Sequence, residues 1–149
     1  MGRELRGPSE LDDRHVLIIG TDQNREDWQL TLQQSGLLRP YGTDTETNER
    51  IVQLHPGLTL HTLEEGIRLD ADGIALIRRW CDAHPNCGVI IDSFAACLPP
   101  GVDEDKASAA RPVHALNDAL GTCWGVLLHH NRKGAGKDRN IGVGAGRGS

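Results

Sequence analysis

Nothing in this chain is apolar for long enough to cross a membrane, and the first residues contain no apolar signal-peptide core. A soluble, cytoplasmic chain is expected. The four cysteines, Cys81, Cys87, Cys97 and Cys123, include no C-x-x-C pair and are too scattered for a zinc knuckle. Free structural thiols in a reducing compartment are the natural reading. Basic charge is not in excess either: 16 Lys and Arg stand against 21 Asp and Glu, a net charge of −5. That balance argues against a protein that coats nucleic acid with its whole surface. Aromatics are few (Trp28, Trp80, Trp124, Tyr41 and Phe94), internal repeats are absent, and no G-x-S-x-G elbow marks an α/β hydrolase.

What is present is one domain's worth of sequence, 149 residues, with alternating strand and helix patterns. Residues 1–14 read as a loose polar leader. His15 to Gly20 is an almost continuous apolar β run, as a strand covered on both faces should be. Thr21-Asp22-Gln23-Asn24 is turn and helix-cap chemistry, and a helix follows from Arg25 to Ser35 with Trp28 and Leu32 on one face. Pro40 to Glu49 is polar and irregular. Arg50 to Leu54 has β character, which Leu58 to Leu60 extends. A second helix spans Ala71 to Ala83 behind an Asp70 cap, with Ile74, Ile77 and Cys81 as its buried stripe. Gly88 to Asp92 is the next strand, and a loop with Pro99-Pro100-Gly101 and Asp103-Glu104-Asp105 follows it. A third helix is expected from Ala107 to Leu120, with Val113, Leu116 and Leu120 inward. Pro112 either kinks it or starts its regular part. Gly125 to His129 closes the alternation, and residues 131–149 form a basic, glycine-rich tail. The fold class is α/β, a mostly parallel sheet flanked by helices.

In such sheets, residues just past the carboxyl ends of the strands face the ligand crevice. Asp92, after four apolar residues and before Ser93, has the pattern of a carboxylate that holds Mg²⁺ beside nucleotide phosphates; it equally suits a turn cap. Asp22 holds the equivalent place after the first strand. It could orient an attacking water or simply cap the next helix. His129 and His130 follow the last strand, where a histidine can donate to a γ-phosphate; adjacent strand residues face opposite ways, so the two do not chelate one ion. Arg132, Lys133, Lys137 and Arg139 give the tail a phosphate-tracking character, against the alternative of a solvated end. Two glycine motifs there are decoys. Gly134-Ala135-Gly136-Lys137 is followed by Asp138 where a phosphate loop needs Ser or Thr, and Gly142-Val143-Gly144-Ala145-Gly146 runs into Arg147.

Taken in order, Asp22, Asp92-Ser93, the Pro-containing helix, Leu127-Leu128-His129-His130-Asn131-Arg132-Lys133 and Arg147-Gly148-Ser149 resemble the RecA-type ATPase core of RepA-like hexameric helicases and their AAA-family relatives. The resemblance covers His15 to the end. It implies a RecA-like sheet, Mg-ATP bound between subunits, a ring or a full-length relative as partner, and movement on single-stranded DNA. It places Asp22 where the family has its catalytic glutamate, Asp92 at the Mg²⁺-holding aspartate and His130 at the γ-phosphate sensor. Ser93 and Arg147 then join the nucleotide site, and Arg132, Lys133, Lys137 and Arg139 the DNA-facing loop. Two departures matter. Asp22 is one methylene shorter than glutamate, and no G-x-x-x-x-G-K-[ST] precedes His15. The expectation is the middle of an ATPase domain that binds Mg-ATP weakly or not at all and does not hydrolyse ATP alone. The alternative is a non-catalytic α/β module that binds DNA or a partner subunit.

Overall fold

The computed structural model describes residues 14–48, 50–103 and 106–129. Its elements are β1 (Val16–Ile19), α1 (Arg25–Gln34), β2 (Leu38–Thr43), β3 (Arg50–Leu54), β4 (Leu58–His61), α2 (Ala71–Ala83), β5 (Gly88–Asp92), α3 (Phe94–Cys97), α4 (Ala110–Leu120) and β6 (Trp124–Leu128), with a 3₁₀ turn over Ala107–Ala109 before α4. The main sheet has the order β4-β1-β5-β6, and every pairing in it is parallel. The protein is therefore an α/β fold with a parallel four-stranded sheet flanked by helices. Among the described residues no helix is long and apolar enough to cross a membrane.

The core lies on one face of that sheet. Leu17, Ile19, Val89 and Ile91 point into it and are almost wholly buried. Ile77 and Cys81 from α2 meet them, as do Leu116, Ala119 and Leu120 from α4. At α2 the pattern works as the sequence implies: Asp70 accepts the amide of Gly73 at 3.0 Å, and Gly73, Ile77 and Cys81 form the buried stripe. Gly73 has no substitute, because a Cβ there would overlap the backbone oxygen of Arg68. On α4 the stripe is rotated. Pro112, Leu116 and Ala119 are buried while Val113 is only partly so. Pro112 sits in the first turn, where a missing N–H costs nothing, so it starts the helix rather than kinking it.

The opposite face is less covered than a continuous apolar run suggests. Val16, Ile18 and Ile90 are half-buried, and Trp124, Val126 and Leu128 on β6 are exposed. Two further expectations need correction. The segment 40–49 is not simply irregular: β2 pairs antiparallel with β3, with a register shift between Pro40 and Gly42. Its turn is closed by Asp44, whose carboxylate accepts the amides of Glu46 and Thr47 at 2.8 and 3.0 Å and is held below its usual pKa, chiefly by the Thr47 amide. Also, β4 is not an extension of β3 but an edge strand of the main sheet, paired with β1.

All four cysteines are free and buried. Burial, helped by the neighbouring Cys123 thiol, pushes Cys81 up to about 12, as befits an inert core thiol.

Candidate functional site

The site is the carboxyl edge of β1 and β5. These are neighbours with Ile19 opposite Ile91, so the residues that follow emerge side by side, one strand spacing apart. Beyond β1 the chain makes a braced elbow. Gly20 donates its amide to His61 at 2.8 Å, and its carbonyl accepts the indole N–H of Trp28 at 3.1 Å. A Cβ on Gly20 would overlap that ring, so only glycine fits. Thr21 is buried; its hydroxyl donates to the Ile67 carbonyl at 3.1 Å and accepts the Cys97 thiol at 3.3 Å. These contacts tie the elbow to β4, α1, α3 and the segment before α2, and they leave Asp22 exposed at the rim.

Asp92 ends β5, opposite Leu128 of β6, and is half-buried with its Oδ1 shielded from solvent. Ser93 is buried and heads α3, its carbonyl accepting the Cys97 amide at 3.2 Å. The peptide between Asp92 and Ser93 is cis. Arg68 donates to the carbonyls of Ala96 and Leu98, fastening the segment before α2 to the end of α3. The structure thus brings Asp22, Asp92 and Ser93 to one edge. His130, Arg132, Lys133, Lys137, Arg139 and Arg147 lie outside the described residues, as do Glu104 and Asp105.

Sequence reasoning missed an acidic bracket on the same edge. Thr62, buried just after β4, directs its hydroxyl at the carboxylates of both Glu64 and Glu65. Glu64 also accepts the Arg25 amide at 3.0 and 3.1 Å, capping the first turn of α1, and Glu65 pairs with the Arg25 guanidinium at 2.7 Å. The Thr62 hydroxyl, then the Thr62 amide, hold Glu65 down at about 2, and the same hydroxyl lowers Glu64. The signal was Thr-x-Glu-Glu, which gains meaning only once β4 is placed beside β1.

The sign of the resulting pH dependence follows from these depressed values. Glu65 stabilises the fold above its unfolded value near 4.5, and that contribution fades as pH falls toward about 2. Acid titration of the unfolding free energy should show a loss across that window, smaller in Glu65→Gln. An identical acid slope in the variant would mean that Glu65 contributes nothing.

Among the described residues no group of three or more His, Cys, Asp or Glu side chains is placed to hold a metal. A recess of about 390 Å³ lies between α2 and α4, lined by Leu69, Ile74, Pro99, Val102 and Pro112 among others; neither Asp22 nor Asp92 reaches it. Chemically, the rim offers one exposed and one half-buried carboxylate on adjacent strand ends. That suits a hydrated cation or a polarised water better than direct multidentate chelation. No protein-family model matches the chain, and no curated protein or solved structure does.

Proposed function

We propose that this chain is a RecA-like ATPase segment of the DNA-helicase lineage, one that contributes to a nucleotide site but does not hydrolyse ATP alone. The observation that carries the reading is the pair of carboxylates, Asp22 and Asp92, at the carboxyl ends of the adjacent parallel strands β1 and β5. In this reading Asp92 would help to hold Mg²⁺, which would supply charge neutralisation at the phosphates, and Asp22 would stand where the lineage has its water-orienting carboxylate. Ser93 supports the turn beneath them. His130 and Arg147 belong to the same nucleotide site, and Arg132, Lys133, Lys137 and Arg139 follow single-stranded DNA.

The residues fit that cofactor only in part. Mg²⁺ is usually held by one or two carboxylates together with substrate phosphates, and Asp92 would supply one such carboxylate. A triphosphate also needs a backbone cradle and its lysine, and the sequence contains no such loop. No hydrolytic step is therefore assigned to this chain.

The test is thermal unfolding with Mg-ATP, since a ligand that binds only the folded state raises the midpoint. A modest upward shift is expected, lost in Asp92→Ala, with no ATP turnover. Turnover abolished by Asp92→Ala would contradict the non-hydrolysing part, and no shift at all would remove nucleotide binding. A second reading, a DNA-binding module without nucleotide chemistry, rests on the basic residues 132–139. It requires oligonucleotide binding that weakens steeply with salt; absent or salt-independent binding would exclude it.

A further inference from the structure

We infer that Cys87 and Cys123 form a paired thiol site, which a hydroperoxide oxidises to an intrachain disulfide tying β5 to β6. The inference is independent of the nucleotide reading, because the pair lies at the amino ends of these strands, away from the edge that carries Asp22 and Asp92. Gly88 is the register partner of Trp124, and Trp124 donates its amide to the Cys87 carbonyl at 3.0 Å. On the other side of the pair, the Asn86 amide donates to the Thr122 hydroxyl at 3.2 Å. Contacts before and after it thus hold Cys87 level with Cys123. Neighbouring strands stand about 4.8 Å apart, inside the Cα separation of about 4.4–6.8 Å that a disulfide spans.

Both side chains leave the sheet on its core face. Cys87 alternates with Val89 and Ile91, which point into the core, and both thiols are buried. Cys123 lies against the end of α2: its thiol donates to the His84 carbonyl at 3.2 Å and reaches the Cys81 carbonyl at 3.9 Å. His84 is held there by stacking on Trp80, with ring centroids 4.5 Å apart, and by a 2.9 Å contact of its Nδ1 with the Trp80 carbonyl. Cys87 Sγ instead accepts the His15 amide at 3.4 Å. A change of χ1 at Cys87, rather than a movement of either strand, is what brings the two sulfurs together.

The surroundings divide the two roles. Cys87 accepts a hydrogen bond and Cys123 donates one, so Cys87 is assigned the attack and Cys123 the resolving step. Each follows an exposed turn, Pro85-Asn86 or Gly121-Thr122, and local opening of a turn is enough to admit a small oxidant. Cys87 is also among the residues lining a recess of about 520 Å³, with Arg14, His15 and Asn86. In the first step Cys87 gives up its thiol proton and its sulfur attacks one peroxide oxygen. The O–O bond breaks, the departing oxygen takes the proton and leaves as an alcohol or water, and Cys87 becomes a sulfenic acid. In the second, the Cys123 sulfur displaces that hydroxyl, which leaves as water with the Cys123 proton, and the S–S bond forms. Two thiols are oxidised and one hydroperoxide is reduced. Cys81, whose thiol burial pushes up to about 12, and Cys97, bonded to Thr21 at the other edge, stay reduced.

The experiment is mass spectrometry of the full chain, treated with equimolar hydrogen peroxide while folded and then alkylated with iodoacetamide in urea. The peroxide-treated chain should be lighter by two hydrogen atoms before alkylation. Its peptides should show Cys87 linked to Cys123, with the alkyl group on Cys81 and Cys97. In Cys123→Ser the oxidation should stop at a Cys87 sulfenic acid that dimedone traps, and Cys87→Ser should form no intrachain disulfide. The mapping of the wild-type chain decides the matter even if either variant unfolds. Any one of three results would overturn the inference: four thiols still reduced under peroxide that fully oxidises glutathione, a link that joins Cys81 to Cys123 instead, or a link that forms only in urea.

Discussion

Replacing Ile77 with alanine is expected to lower the unfolding free energy by about 2–5 kcal/mol. The side chain is wholly buried at the middle of the inward stripe of α2, in the cluster that holds Leu17, Ile19, Val89 and Ile91. Truncation removes its transfer free energy and leaves a cavity that α2 cannot collapse into, because Gly73 already brings that helix against the Arg68 carbonyl. Urea unfolding measures the loss, and the slope of free energy on urea should not change. Ile77→Val, which keeps most of the volume, should cost about 0.5–1.5 kcal/mol. Leu30→Ala, 57% exposed on α1, should stay within about 0.5 kcal/mol of wild type. Equal losses at Ile77 and Leu30 would show that α2 does not carry the core.

Trp28→Ala should rank with it, at about 3–5 kcal/mol. The ring seals the end of β1, and its indole N–H is bound to the Gly20 carbonyl at 3.1 Å. Its loss therefore empties a large volume and frees the elbow that carries Thr21 and Asp22. Trp28→Phe retains an aromatic body and gives up the hydrogen bond, for which about 0.5–1.5 kcal/mol is the usual net value. Hydrogen exchange separates the local from the global effect. Amides 20–22 should open more readily in Trp28→Ala than the amides of β5, measured against the lowered global stability. Uniform acceleration across the sheet would mean that Trp28 stabilises the domain without holding the elbow.

Much of this was legible in the residues because the signals were local. Asp70 before an apolar stripe, Asn24 before Arg25 and the apolar runs ending at Asp92 and after Trp124 are each readable within a few positions. They gave α2, α1, β5 and β6 to within a residue or two. The hairpin was harder. Pro40 and Gly42 argue against a strand, and its turn depends on the Asp44 carboxylate and on Asn48 at positive φ rather than on an Asn-Gly pair. Strand order was not legible at all. It is settled by crossovers that carry β4 to one side of β1 and β5 to the other, and Thr62, Glu64 and Glu65 reach the rim only through that order. The uneven cover of the sheet was hidden for a related reason: a run such as Gly125 to Leu128 reads the same whether its second face is packed or bare.

The central claim, that Asp22 and Asp92 mark a nucleotide edge, is tested most directly by paramagnetic relaxation in solution. Mn²⁺ replaces Mg²⁺ at such sites and broadens nearby amide signals, so Mn-ATP added to the ¹⁵N-labelled chain reports where the metal–nucleotide pair sits. The account predicts broadening centred on residues 20–23 and 92–94, weaker with Mn²⁺ alone and absent in Asp92→Ala. Broadening centred on Glu64 and Glu65 that is the same with and without ATP, or no localised broadening, would contradict it.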